Sequence, residues 1–446
     1  MLCVLPREAR AQNPFTIDYS TTYLIQEDGN AAVNQTITLT NNTSETYAPS
    51  YELFLEGRDP EDIQAVEKEE IIPTSTRKQD NQTIIVVSFP KALVGKNKSR
   101  TFSIKYGLQG LATKNGQVWE VAIPKVVTPD TIDSKTLILY VPKSLGLPAY
   151  ISPEPQKRDS TDNHYIFTFE KEDLLKAGVV AAFGKFQVFS FDLTYHLENP
   201  TSHLAEMKIA LPPDTAFQHV FYQEISPKPK NISLDIDGNW IAIYQLGGKE
   251  KLEVKALGNV QVFADPQSMR PQLAPVGDNQ LKEAKYWEVN DPEIISLGKE
   301  FKTPRNIYDF VVALLSYDYS LVNQTTARVG AKNALLSPLT SVCREFTDLF
   351  ISLSRSAGIP AREVNGFAYT ENPQIQPLSL VADVLHAWPE YWDDAKRLWI
   401  PVDPTWGKTT GGIDFFDKFD LNHITFAIHG ANSESPLPAG AYKIED

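Results

Sequence analysis

The stretch Ser341-Val342-Cys343-Arg344-Glu345-Phe346-Thr347-Asp348-Leu349-Phe350 holds the cysteine from which this chain of 446 residues is best read. Its other cysteine, Cys3, lies in a short N-terminal segment that reads as an export remnant, so Cys343 stands alone in the body of the protein. A lone thiol closes no intramolecular disulfide, and metal sites rarely rest on one sulfur. Chemistry or plain burial as a small hydrophobe remains. From Cys343 the apolar residues fall at Phe346, Leu349, Phe350, Leu353 and Ala357, the three-and-four spacing of one helix face. Thr340 and Ser341 are acceptable N-caps, Gly358 stands at the usual C′ position and Pro360 follows as a stop. The spacing predicts a buried helix with the sulfur in its first turn. There, unpaired N–H groups and the macrodipole favour a thiolate and offer donors to an oxyanion.

Downstream, residues 384–392 and 397–403 read as two strands around the polar turn Asp393-Asp394-Ala395-Lys396. A four-residue hairpin closed there sets Trp392 opposite Arg397, and His386 then falls opposite Asp403. Directly opposed side chains share a face with Cβ atoms about 4.5–5.5 Å apart, close enough for a carboxylate to accept an imidazole N–H. A one-residue slip would part them. Pro389 and Pro401 remove ladder donors, which predicts an edge or a bulge in part of this hairpin.

Three blocks now stand in order: Cys343-Arg344-Glu345-Phe346 through Ala357-Gly358-Ile359-Pro360-Ala361-Arg362 to Gly366-Phe367, then His386-Ala387-Trp388, then Asp403-Pro404-Thr405-Trp406. Over roughly residues 290–430 they resemble the transglutaminase-like (papain-like) superfamily. The resemblance implies a central helix packed on an antiparallel sheet and acyl transfer through a thioester. By it, Cys343 would be the nucleophile, His386 the general base and acid, and Asp403 the residue that orients the imidazole. Val342 stands where small residues are common, and Pro389 interrupts the strand after the histidine.

Trp388, Trp392, Trp399 and Trp406 crowd the same region. Trp388 and Trp406, each beside a member of the proposed triad, are the candidates for substrate binding, and the other two read as core. His423 and His429 alternate within a strand-like run and read as structural, because no acidic partner is expected opposite them. His164, His196, His203 and His219 read likewise. No Gly-x-Ser-x-Gly elbow and no phosphate-binding loop occurs. Leu234-Asp235-Ile236-Asp237-Gly238-Asn239-Trp240 faintly resembles a calcium loop, but it lacks the bidentate Glu and reads as an Asp-Gly hairpin turn. No metal ligand set and no cofactor is read from the sequence.

A net charge of −14 argues against a nucleic-acid or anionic-membrane partner, and no run of eighteen apolar residues occurs. Length calls for about three domains. Residues 1–12 read as a truncated signal peptide ending at the Ala-x-Ala site Ala9-Arg10-Ala11. A β-sandwich follows over 13–187 and a second β-module over 188–265; a Pro-rich linker covers 266–291, the transglutaminase-like domain 292–431 and a tail 432–446. Strand candidates at short intervals from Asn34 to Val254 support the β-modules, and residues 294–301 and 304–316 read as helices. The fold class expected is thus α+β, with N-terminal all-β sandwich modules followed by a papain-like core.

The function expected is that of an exported cysteine-dependent acyl-transfer enzyme hydrolysing peptide or side-chain amide bonds, with transamidation as a variant. Its partner would be a peptide or protein, a cell-wall peptide among the candidates. The alternative is a non-enzymatic surface or scaffold protein that uses the same fold for binding.

Overall fold

A computed structural model describes residues 14–80, 82–123, 132–175, 178–267, 274–275, 278–321, 327–368, 385–410, 413–416 and 419–439. Residues 1–12, read above as a truncated signal peptide, and the last residues of the tail lie outside these. Contacts divide the chain into two compact units. The first comprises residues 1–114, 121–146 and 153–179; the second comprises 115–120, 147–152 and 180–446.

The first unit is a β-sandwich. An eight-stranded sheet runs in the order Lys157–Ser160, His164–Glu170, Ile132–Pro142, Phe15–Ile25, Ala31–Asn41, Ser99–Leu108, Pro60–Glu67, Glu70–Ile72. A three-stranded sheet of Ser50–Glu56, Gln82–Ser88 and Thr74–Gln79 packs on it through Tyr51 and Phe102, whose rings lie 5.4 Å apart. Alternation explains the layers: in Ala31–Asn41 every second side chain, among them Val33, Ile37 and Leu39, is buried. Phe15–Ile25 pairs parallel to Ile132–Pro142, a departure from the all-antiparallel pattern of simple sandwiches.

In the second unit, Phe186–Glu198, Lys251–Phe263 and Gln218–Ser226 form one three-stranded sheet, and Ala205–Leu211, Trp240–Leu246 and Asn231–Leu234 another. Tyr195, Leu211, Tyr244 and Val254 fill the space between them. The Asp-Gly turn is confirmed. Gly238 has φ +96°, and Asp235 accepts the N–H groups of Asp237 and Asn239.

The papain-like part is a four-stranded antiparallel sheet in the order Leu398–Pro401, His386–Asp393, Ala361–Ala368, His423–His429. Against it lies the helix Cys343–Ser356. Helices Pro292–Phe301 and Pro304–Leu314 pack on that helix around Ile307, Val311, Phe346, Leu349 and Phe350. The helix ends as its sequence predicts: Gly358 has φ +82°, its N–H reaches Arg355 O at 3.0 Å, and Ile359 N–H reaches Ser354 O at 2.9 Å. A short helix, Gly330–Leu336, and the strand Ala361–Ala368 went unread in the sequence, the first because seven residues carry too little periodicity.

The apolar face seen in the sequence understates how deeply the cysteine helix is buried. Thr347, Asp348, Ser352, Ser354 and Arg355 are also enclosed. Arg355 donates to the carbonyls of Lys282, Ala361 and Gly430, and Asp348 accepts the Trp287 indole N–H at 3.0 Å. The stretch that reads as a linker therefore ends in packed structure, because a buried indole needs both apolar surroundings and an acceptor.

The edge strand His423–His429 is closed by amide side chains from the β-module. Gln218 pairs with both backbone groups of Thr425, at 2.8 and 3.0 Å, and Asn239 with both groups of Ile428, each at 2.7 Å. Asn239 is fully buried. Asn239→Ala is therefore expected to leave a buried N–H and C=O unpaired and to lower stability by about 1–3 kcal/mol in urea unfolding.

Candidate active site

Cys343 is the first residue of its helix and partly exposed, so its sulfur sits where helix N–H groups have no internal acceptor. The N-cap is Val342 rather than Thr340 or Ser341. Its side chain offers no acceptor, and only half of a capping box forms: the Glu345 carboxylate takes the Val342 N–H at 2.9 Å.

His386 opens the strand His386–Asp393 and faces Gly366 on the neighbouring strand. A glycine is required there, since a Cβ would stand 1.9 Å from Ile424 O and 2.7 Å from the Trp388 ring. The His386 Nε2 lies 2.6 Å from Asp403 Oδ2, which leaves Nδ1 as the ring nitrogen available to the Cys343 sulfur. Burial disfavours the charged ring. The Asp403 carboxylate and its hydrogen bond, together with the thiol, outweigh this and push the His386 pKa up to about 10.

Asp403 reaches His386 by a route other than the hairpin register. Trp392 faces Trp399, not Arg397, so the ladder is shifted by two residues and ends at Pro401 opposite Glu390. A shift of two preserves the faces, but Asp403 has left the sheet. It is the N-cap of the helix Pro404–Thr409, with Oδ1 accepting Trp406 N–H at 2.9 Å and Oδ2 free to turn toward the imidazole. Its pKa is held well below the ordinary value: burial opposes this, but His386 and His423 prevail. Pro389 is tolerated inside the sheet because its carbonyl takes the Val402 N–H at 3.1 Å just where the outer strand has ended.

Trp388 and Trp406 do not line an open groove. Each is 1% exposed, and they wall in the imidazoles, with Trp388 stacked on His386 at 5.7 Å and Trp406 at 4.6 Å from His423. Indole faces this close to two buried rings are held by packing. Trp392 and Trp399 pack edge to face at 5.4 Å.

The histidines read as lacking acidic partners both have them. His423 is buried, with Nε2 3.0 Å from Asp403 Oδ2 and Nδ1 2.6 Å from Asp420 Oδ1. His429 stands 3.6 Å from Glu363 and bonds the Pro436 carbonyl at 2.6 Å. The spacing Asp420-Leu421-Asn422-His423 just before an apolar strand was the available signal for the first pair. The Asp403 partner lies 20 positions away and left none. Among the described residues, His386, Asp403 and His423 form the one group of donor atoms compact enough to hold a metal ion, all within 4.8 Å. At 2.6 and 3.0 Å, however, the nitrogen–oxygen gaps are filled by protons.

Residues 295–404 match the transglutaminase-like superfamily. A protein-glutamine gamma-glutamyltransferase of Pseudomonas aeruginosa is 33% identical over 91 residues; the match covers 20% of this chain and 14% of that protein's length. Among solved structures, a candidate cysteine protease from Cytophaga hutchinsonii is 18% identical, with a TM-score of 0.35, covering 58% of this chain and 94% of that one. The periplasmic domain of TgpA from P. aeruginosa is also 18% identical, with a TM-score of 0.28, covering 51% of this chain and 76% of that one. Residues 295–404 are thus a transglutaminase-like domain within an α+β chain.

Proposed function

We propose, for a chain that carries a transglutaminase-like domain at residues 295–404, a cysteine-dependent acyl-transfer activity in which Cys343, His386 and Asp403 act in series. The observation that carries this reading is the His386 imidazole bonded at 2.6 Å to a fully buried carboxylate, with the Cys343 thiol near enough to the same ring to raise its pKa. The raised pKa keeps a proton on His386 at neutral pH, and that positive ring beside the sulfur favours attack by Cys343 as an anion. The Cys343 sulfur attacks an amide carbonyl, the oxyanion forms beside the first-turn N–H groups, and His386 gives its proton to the departing amine. A thioester is left on sulfur. Neutral His386 then takes a proton from water, whose oxygen displaces the thiolate and releases the acid. Hydrolysis is favoured over transfer to a second amine because water needs no dry acceptor channel. The substrate class is a peptide or protein amide, and the Ala9-Arg10-Ala11 stretch points to work outside the cytoplasm.

Incubation of the protein with a peptide mixture, trapping at low pH and mass spectrometry of the Cys343 peptide should reveal a thioester-linked acyl group. Its absence alongside unmodified substrates would overturn the reading. Asp403→Asn should slow alkylation of Cys343 by iodoacetamide at pH 6 by about tenfold or more, since the imidazolium loses its counter-charge but keeps its place. An unchanged rate would remove Asp403 from the series.

A further inference from the structure

The carboxylate of Asp403 is shared. Its Oδ2 receives His386 Nε2 at 2.6 Å and His423 Nε2 at 3.0 Å, while its Oδ1 receives the Trp406 N–H. His423 places its other nitrogen 2.6 Å from Asp420 Oδ1, an oxygen that also accepts the Asn422 N–H at 2.9 Å. An ionised carboxylate only accepts, so a ring bonded to one at each nitrogen must donate from both and carries a positive charge. The backbone of Asp403 is held by the Phe415 carbonyl, which accepts its N–H at 3.1 Å, and its Oδ1 by the Trp406 N–H; for Oδ2 the two imidazoles are the partners among the described residues.

From these contacts we infer that His423 is a second, standing imidazolium of the site and the positioning residue of Asp403. This inference deepens the acyl-transfer reading and rests on it. Carboxylates and imidazoles then alternate in series, Asp420, His423, Asp403 and His386, with the Cys343 sulfur beyond the last ring. The charged and titratable groups facing His423 are Asp403 from the N-cap of Pro404–Thr409, Asp420 from the preceding loop, and His386, whose ring centre is 5.7 Å away. Tyr150 stands behind Asp420. Its remaining neighbours are aromatic: Phe419 at 4.3 Å, Trp406 at 4.6 Å, Trp388 at 5.0 Å and Phe415 at 6.3 Å. That box leaves the two carboxylates as the partners for its N–H groups. Burial disfavours the charge, and Asp420 and Asp403 reverse that and raise the pKa of the ring.

With seven histidines in the chain, selective ¹⁵N labelling of the full protein can read each ring. The His423 resonances are assigned by their loss in His423→Gln. Both His423 nitrogens should remain protonated from pH 6 to pH 8; a neutral ring at pH 7 would overturn the inference. Alkylation of Cys343, followed on its own peptide across pH 5–9, supplies the second readout. His423→Leu should lower the rate at pH 6 by about tenfold, and His423→Gln, which keeps one N–H for Asp403, should recover most of it. A His423→Leu profile that superimposes on wild type would also overturn the inference. If His423→Leu does not fold, the wild-type ring spectrum and the His423→Gln profile decide. Wild-type Cys343 reacting no faster than a free-cysteine peptide would instead refute the enzyme reading, and the His423 ring spectrum would still stand as its own test.

Discussion

In a His386→Ala variant, alkylation of Cys343 at pH 6 should fall by about 10²-fold or more, the scale of a lost acid–base partner. The thiol would keep its helix terminus, which favours a thiolate only modestly, and would lose the imidazolium that the ion pair requires. The pH dependence follows from the same group. The folded-state pKa of His386 lies near 10, above its ordinary 6.5, so the charge on the ring stabilises the fold fully below about pH 6.5. That contribution fades as pH rises and is gone once pH passes 10. Wild-type protein should therefore show fast alkylation already at pH 6, a plateau through neutrality, and a loss of stability on the alkaline side that His386→Ala lacks. Stopped-time mass spectrometry and urea unfolding at pH 7 and pH 10 would check both halves. A wild-type profile rising only near pH 8.5, as for an ordinary thiol, would count against the ion pair.

Arg328→Met should produce the largest loss of stability, about 3–5 kcal/mol in urea unfolding. Arg328 is nearly buried, with its Nε 2.9 Å from Asp348 Oδ2, an Nη2 shared between Asp348 and Glu363, and Nη1 on the Ser433 carbonyl at 2.8 Å. Burial raises the pKa of Asp348 even with this guanidinium alongside, which shows how poorly solvated the carboxylate is. Methionine restores the volume but leaves two enclosed carboxylates facing each other. Because Asp348 lies on the cysteine helix and Glu363 on the adjacent strand, the same change should slow Cys343 alkylation by loosening the helix. The double variant Arg328→Met with Asp348→Leu should regain part of the stability, since one of the two uncompensated carboxylates is then gone.

The cysteine helix was legible because its signals are local: a three-and-four apolar rhythm, a glycine one step past the end and a proline to stop it. The strand His386–Asp393 was legible too, but its register was not. The four-residue turn was expected at 393–396 and set Trp392 against Arg397, whereas the folded turn, also four residues long, sits one position later at 394–397, with Arg397 at φ +56°, and this step seats Trp392 on Trp399. The difference is one of packing, since two indoles meeting edge to face outweigh a turn preference. Trp388 and Trp406 were read as groove residues from their nearness in sequence to His386 and Asp403. That nearness says nothing about which side of the imidazole an indole covers.

Taken alone, the order of residues determined which side chains are candidates for chemistry, on what kind of element the thiol sits, and that the chain is α+β, with β-modules before a papain-like core. These follow from short-range rules of spacing and capping, which a linear reading contains. The folded chain decided how Asp403 arrives at His386, by capping a helix instead of pairing in a ladder, and that His423 and Asp420 extend the series of charges. Such contacts join positions many residues apart through burial, where every enclosed donor must find an acceptor, and that demand is met only in three dimensions.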